Sequence, residues 1–304
     1  MNTENINYVV CFGEVLWDIF PSGSRAGGAP FNVAYHLFKM GIDTKMLSRT
    51  GNDELGHQLL NQIDQWGITK DFIQVDQEKP TGTVLADFDE HGEARYEIVK
   101  DAAWDFIEVL PEHTELVQGS KAFVFGSLIA RNEVSKKTLL ELLEHSEFRV
   151  FDVNFRPPFT DSDFIKKLLH KADLVKMNKA ELRTILEFLG VDYVDEDISI
   201  RHLQNYFDLN EIVLTKGSKG ARYFVGSTSY NFPAVHIEIA DTVGSGDSFL
   251  AGFLSKRIQG SSPEEIMKQA TSLGAFITSK SGACPDYTYE EFRTFRENNC
   301  CKTS

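Results

Sequence analysis

Asp241-Thr242-Val243-Gly244-Ser245-Gly246-Asp247 runs directly into a helical stretch over Ser248–Gln259. Glycines at a helix start turn several backbone N–H groups toward one point, and the helix dipole adds positive potential there. Such a pocket can hold a transferring phosphoryl group or its transition state. Asp247, at its mouth, can accept a proton from an attacking hydroxyl. The helix start predicts a low pKa for Asp247, hence an ionised, weak base that orients first and takes the proton late. An N-cap aspartate in a glycine loop is the plainer reading of the same residues.

A second glycine-led helix start lies at the other end of the chain. Gly27-Gly28-Ala29-Pro30-Phe31-Asn32-Val33-Ala34 lets the backbone approach a small ligand, and Asn32 offers a donor and an acceptor in the first helical turn. A tight turn before a helix explains it equally well. Leu214-Thr215-Lys216-Gly217-Ser218-Lys219-Gly220 follows an apolar run and suits a nucleotide phosphate or ribose, though it also reads as a strand-end turn. Asn178 and Glu181 sit three apart at a strand-to-helix junction, where they could hold a Mg²⁺ water shell or simply cap the helix. Asp152-Val153-Asn154-Phe155-Arg156 ends another strand and puts polar groups at the carboxyl edge of a sheet, where open α/β folds bind ligands.

Between these motifs the chain alternates. Tyr8–Phe12, Ala122–Phe125, Val150–Val153, Leu174–Met177 and Ile212–Leu214 are short Val/Phe/Leu-rich runs, as buried parallel strands are. Helical patterns lie over Pro30–Met40, Glu54–Trp66, Glu133–His145, Ser162–Lys171, Lys179–Phe188 and Ile200–Phe207. Others follow over Asp247–Gln259, Pro263–Lys280 and Tyr289–Glu297. The pattern predicts an α/β domain with a mostly parallel sheet. Thr83–Asp89 and Glu93–Val99 read as a β-hairpin around Glu90-His91-Gly92, and Val15–Phe20 as another strand; these pieces are expected in a small sheet of their own.

Composition narrows the function. The 304 residues carry 31 Lys+Arg against 45 Asp+Glu, a net charge of −14, which disfavours nucleic acid and anionic lipid as partners. The four cysteines form neither a disulfide framework nor a zinc site. No signal peptide and no membrane-spanning run is read, so a cytoplasmic protein is expected. There is no P-loop, no third glycine of a dinucleotide fingerprint and no H-E-x-x-H, which disfavours an α/β dehydrogenase.

In order and spacing, Gly27-Gly28, Pro30, Asn32, Ala34, Gly41 and Gly51, then Asp241-Thr242-x-Gly-Ser-Gly-Asp247 with Ala251-Gly252, resemble both signatures of the PfkB (ribokinase-like) carbohydrate kinase family. The resemblance runs from about Val9 to Phe295. Gly13-Glu14-Val15-Leu16-Trp17-Asp18 with Phe20-Pro21, Gly28-Ala29-Pro30, and Asp152-Val153-Asn154-Phe155-Arg156-Pro157-Pro158 look most like fructokinases. The resemblance implies a ribokinase-like three-layer α/β sandwich with a central, mostly parallel sheet. It implies one domain over 1–304, with a small β-sheet lid from segments near 15–26 and 80–100. It implies ATP as phosphoryl donor with Mg²⁺. In some members a monovalent cation such as K⁺ sits near the loop that begins at Asp241.

The same resemblance implies roles. Asp247 would be the base, with Gly244, Ser245 and Gly246 as the anion hole. Asp18, Gly27, Gly28, Asn32 and Arg156 would bind the sugar. Asn178, Thr215, Gly217 and Gly220 would bind the nucleotide, and Glu181 and Asp241 would serve metal ions. Lys100 stands where Arg is frequent, and Trp104 precedes Asp105 where a small residue is usual; both bear on the lid edge or the sugar fit. D-fructose, phosphorylated on its 6-hydroxyl, is the expected substrate, because anchors that are neutral or negative suit a polyol. A sugar acid would call on Arg156, the one cation read near the sugar, and a nucleoside on an aromatic cradle of Trp17 and Phe31. Ribose, 2-keto-3-deoxygluconate or nucleoside kinases, and a sugar- and nucleotide-binding regulator without turnover, are the competing readings. A homodimer through the lid is expected.

Overall fold

The computed structural model describes residues 8–21, 23–88 and 94–300. Seven parallel strands form the body of a nine-stranded sheet: β1 (Tyr8–Phe12), β4 (Asp43–Gly51), β5 (Ile73–Asp76), β8 (Ala122–Gly126), β9 (Arg149–Asp152), β10 (Leu174–Asn178) and β11 (Glu211–Thr215). An antiparallel hairpin, β12 (Ala221–Val225) and β13 (Thr228–Phe232), closes one edge, giving the order β13-β12-β11-β10-β9-β8-β1-β4-β5.

Strand β1 shows why the sheet is central. Val9 and Cys11 face one apolar layer and Val10 and Phe12 the other, all wholly buried. The first layer holds helices α1 (Ala29–Lys39), α2 (Glu54–Gln65), α8 (Ser245–Arg257), α9 (Pro263–Thr278) and α10 (Tyr289–Cys300). The second holds α3 (Pro111–Gln118), α4 (Glu133–Leu143), α5 (Ser162–Lys171), α6 (Lys179–Phe188) and α7 (Glu196–Phe207). Burial on both faces is what makes the strands read as continuous apolar runs. The result is the three-layer, ribokinase-like α/β fold.

A separate four-stranded sheet, order β3-β2-β6-β7, is built from β2 (Leu16–Phe20), β3 (Gly23–Gly27), β6 (Gly82–Phe88) and β7 (Ala94–Ile98). Strands β6 and β7 pair antiparallel, with Val84 opposite Ile98, as the hairpin reading required; its Glu90-His91-Gly92 turn lies outside the described residues. Strand β2 pairs β6 in parallel and β3 antiparallel, which places Asp18 opposite Arg25.

Several elements differ from expectation. Strands β4, β5, β12 and β13 and helix α3 were not read from the sequence. Helix α7 begins at Glu196, four residues before Ile200, because the Asp195 carboxylate caps it by accepting the Ile198 N–H. No helix among the described residues is long and apolar enough to cross a membrane.

Candidate functional site

The carboxyl ends of the parallel strands share one edge of the sheet, and the small sheet joins there through Gly13–Val15, which links β1 to β2. The two glycine-led helices meet at the same edge. Asn32, in the first turn of α1, donates from Nδ2 to Asp247 Oδ2 across 2.8 Å, and both side chains are buried. The other face of the amide is also used: Cys284 Sγ donates to Asn32 Oδ1 at 3.3 Å. The expected low pKa of Asp247 is corrected. Burial pushes its carboxyl up, an effect opposed by Lys176 and by the Asn32 hydrogen bond and reinforced by nearby Asp152. The helix start does not outweigh the loss of water.

Helix α8 begins at Ser245, with Gly244 as its left-handed N-cap at φ 75°. Gly246 faces Lys176 of β10 so closely that a Cβ there would lie 2.9 Å from Nζ. Lys176 is 6% exposed, and its Nζ donates to both carboxylate oxygens of Asp152 at 2.9 Å. The sequence reading missed Lys176; the available signal was a cation inside an otherwise apolar strand run. Asn178 and Glu181 form a capping box. Asn178 Oδ1 accepts from the Ala180 and Glu181 N–H groups, and Glu181 accepts from Asn178 N at 2.7 Å and Phe155 N at 3.2 Å. Each Glu181 oxygen keeps a lone pair, and burial and neighbouring Asp152 push this carboxyl up.

On the sugar-side reading, Asp18 comes from β2 of the small sheet, beside Gly27 at the end of β3. Burial raises its carboxyl to about 6, Arg156 and Arg25 opposing and Asp247 reinforcing the shift. Gly28, at φ 115°, presses on the Glu14 backbone; a Cβ there would lie 2.3 Å from the Glu14 carbonyl oxygen. Glu14 was also missed as a site residue. It is 4% exposed, accepts the Ala29 N–H at 3.1 Å with one oxygen and has no partner for the other among the described residues. Burial pushes it up to about 7, against the pull of Arg156. Arg156 therefore faces a convergence of three carboxyls: Glu14, Asp18 and Asp247.

Arg156 is not the only cation here. Arg25 reaches from β3 to within 3.6 Å of Asp241, and both line a cavity of about 100 Å³ beside Asp18. Asp241 also accepts from Val243 N and Gly282 N, tying the loop before α8 to the loop after α9. A Trp17–Phe31 cradle is not formed, because Phe31 is wholly buried and stacked on Trp66 at 5.7 Å. Trp104 is equally buried, under the Arg131 guanidinium at 3.9 Å. Arg131 in turn binds Asp105 and the Ile98 and Val99 carbonyls at the end of β7. Trp104 thus packs at the root of the small sheet, against Gly82 of β6; Lys100 Nζ lies 5.5 Å from the centre of the Phe159 ring.

A cleft of about 360 Å³ runs along the other side of the α8 start. Thr215, Gly217 and Gly220 form one end and Thr242, Ser245 and Gly246 the other. Val235, Ile237, Ile239 and Phe249 supply apolar walls. The loop that leads into α8 contributes to both cavities, Thr242 to this cleft and Asp241 and Val243 to the smaller one. Among the described residues no cluster of three or more His, Cys, Asp or Glu side chains is arranged to hold a metal.

This is the layout of a phosphotransferase of the ribokinase-like fold. The model of the "pfkB family carbohydrate kinase" matches residues 7–288, and the chain belongs to that family. Similar curated proteins include "Probable fructokinase-4" of Arabidopsis thaliana, 27% identical over 91% of this chain and 92% of that one. "Fructokinase-2" of Solanum habrochaites is 26% identical over 91% and 92% of the respective chains. Among solved structures, the fructokinase of Xylella fastidiosa with bound ATP superposes with a TM-score of 0.85 at 21% identity, covering 96% of this chain and 99% of that one. Aminoimidazole riboside kinase of Salmonella enterica, solved with its riboside and an ATP analogue, gives 0.79 at 20% identity, covering 95% and 100%. Such identities bear on the fold, which these kinases share.

Proposed function

We propose that the chain is a fructokinase, transferring the γ-phosphoryl group of ATP to the 6-hydroxyl of D-fructose. The observation that carries the reading is the Asn32–Asp247 hydrogen bond. It joins a ligand-reading amide of α1 to a buried carboxyl of α8, the helix whose first residues, Ser245 and Gly246, line the glycine-containing cleft.

On this reading Asp18, Asn32 and the backbone at Gly27 and Gly28 hold the sugar hydroxyls, with Arg156 at the rim. The triphosphate lies over the Gly244–Gly246 turn, whose N–H groups face its γ-phosphoryl. Thr215, Gly217, Gly220 and Asn178 contact the nucleotide, and the apolar walls take the base. The sugar O6 attacks the γ-phosphorus as the bond to the β-phosphate oxygen breaks, and the O6 proton passes to Asp247. A hydroxyl is a weak nucleophile, so alignment and charge stabilisation do most of the catalysis. Mg²⁺ bound with the phosphates supplies charge neutralisation there. Glu181 fits a role holding metal-bound water, since each of its oxygens accepts one backbone N–H and keeps a lone pair for a further donor. Asp241 is the candidate for a monovalent cation such as K⁺.

The small sheet is the lid. Its Arg25 reaches to within 3.6 Å of Asp241 in the loop before α8, and closure over the sugar excludes water, a competing acceptor. The lid belongs with the body as one domain over 1–304, and a homodimer through its outer face, where Leu85 is 43% exposed, is read by sedimentation mass.

Fructose is favoured over a sugar acid because Arg25 and Arg156 already answer to Asp18, Asp241, Glu14 and Asp247. A nucleoside is disfavoured by the buried Phe31. The test assays phosphorylation of fructose, ribose, a nucleoside and 2-keto-3-deoxygluconate at equal concentration, with the product phosphate located by NMR. A kcat/KM for fructose well below any other transfers the assignment to that acceptor. Absence of turnover on all four replaces a kinase by a binding regulator.

A further inference from the structure

We propose that Lys176 is a catalytic residue of this site, its ammonium contacting the transferring phosphoryl group from behind the Gly244–Gly246 turn. The inference rests on the kinase reading and goes beyond it, because backbone N–H groups alone would suffice for an anion hole.

The placement is specific. A Cβ on Gly246 would lie 2.9 Å from Lys176 Nζ, so the ammonium sits directly beside the turn. An ammonium has three N–H donors. The acceptors it meets among the described residues are the two Asp152 oxygens, each at 2.9 Å. The turn side of Nζ is where a phosphoryl oxygen would arrive. Lys176 stays charged in this burial because Asp152, Asp247 and Glu181 surround it, each raising its pKa. A cation fixed in a site closed to water acts on developing negative charge without having to reorganise. Asp152 holds the ammonium while the site is empty, so the buried charge is never unpaired.

Lys176 also faces the base. The groups around Asp247 are Lys176 of β10 and Asp152 of β9, Asn32 of α1, and Arg156 after β9. Glu14 and Asp18 of the β1–β2 segment and Cys284 of the loop after α9 complete the set. Of these, Lys176 is the strongest influence favouring the ionised base.

The test compares wild type with Lys176→Met and with the double variant Lys176→Met/Asp152→Asn. The double variant removes both members of the buried pair and so avoids an uncompensated carboxylate. Both variants should lose about 10²–10³-fold in kcat with fructose and ATP, the range found when one transition-state donor is removed. The acid limb of the Lys176→Met profile should move to higher pH as Asp247 loses its cation, whereas in the double variant the loss of Asp152, which raises Asp247, offsets that move. A folded double variant with kcat within about threefold of wild type overturns the proposal. Wild-type turnover is read in the same assay. Its absence on every acceptor overturns the kinase reading and this role with it, whereas an active wild type beside an equally active double variant removes Lys176 alone.

Discussion

Asn32 and Asp247 are hydrogen-bonded at 2.8 Å across 215 positions of sequence. The contact orients the amide, since Nδ2 must face the carboxylate and Oδ1 is left to the Cys284 thiol. It also fixes the carboxylate between a sugar-side helix and the glycine turn. Asp247→Asn should therefore fold normally, bind ATP with near wild-type affinity and lose about 10²–10⁴-fold in kcat, because an amide cannot take the O6 proton. Calorimetric ATP titration beside single-turnover kinetics checks both halves. Near wild-type kcat removes Asp247 from the chemistry.

Asp18 stands on the small sheet, apart from the nucleotide cleft. Asp18→Ala should raise KM for fructose about 10–100-fold, for the loss of charge-assisted hydrogen bonds worth about 1.5–3 kcal/mol, and leave KM for ATP within about twofold. Equal rises in both KM values, or none, make Asp18 a structural residue.

The buried carboxyls set a pH dependence of stability. Burial raises Glu14 to about 7 and Asp18 to about 6 in the fold, against roughly 4 in an unfolded chain. Between about pH 4 and 7 the native state thus binds more protons than the unfolded state. The contribution of these groups is fully present at the acid end and is lost as pH rises through about 6 and 7. Glu14→Gln should flatten the fall in Tm between about pH 5.5 and 7.5 and stabilise the protein most at the upper end. Thermal scans across that range decide it; an unchanged slope means Glu14 does not carry the effect.

Two glycines should part company. At Gly28 a Cβ would meet backbone, 2.3 Å from the Glu14 carbonyl oxygen, at φ 115°, so Gly28→Ala should destabilise by several kcal/mol or abolish folding. At Gly246 the obstacle is a side-chain tip, the Lys176 ammonium, and not backbone. Gly246→Ala should keep Tm within a few degrees yet lower kcat at least about tenfold by displacing Lys176. Parallel melting and rate measurements separate the two, and a Gly246→Ala enzyme with full activity contradicts the argument.

The legibility of this chain followed burial. Tyr8–Phe12 and Leu174–Met177 were readable as strands because both faces are covered by helices. Strand β4 was not, because its buried Thr44, Ser48 and Thr50 break the apolar run, their hydroxyls satisfied by Ala34, Gly13 and Thr81, which only the fold brings to them. The β12–β13 hairpin is an edge, where Tyr230 and Phe232 are only half covered and tertiary context decides the pairing. In the site, the glycine turns and the carboxylates within them announced themselves by spacing. Lys176, Glu14 and Cys284 belong to no spacing rule; what makes them part of the site is which atoms the fold carries to them.

The pairing of Asn32 with Asp247 has a consequence for how the protein comes into being. Synthesis runs from the amino end, so Glu14, Asp18 and Asn32 emerge long before Asp247 and the Gly282–Cys284 loop that completes their surroundings. Until then the early half is a set of carboxyls with no partner helix, unable to enclose a sugar or receive a triphosphate. On the kinase reading, a ribosome-bound chain is thus catalytically silent until the Gly282–Cys284 loop has been made. Closing contacts over so many residues is also slow, so activity should appear as a late, discrete event during maturation and not grow in proportion to length.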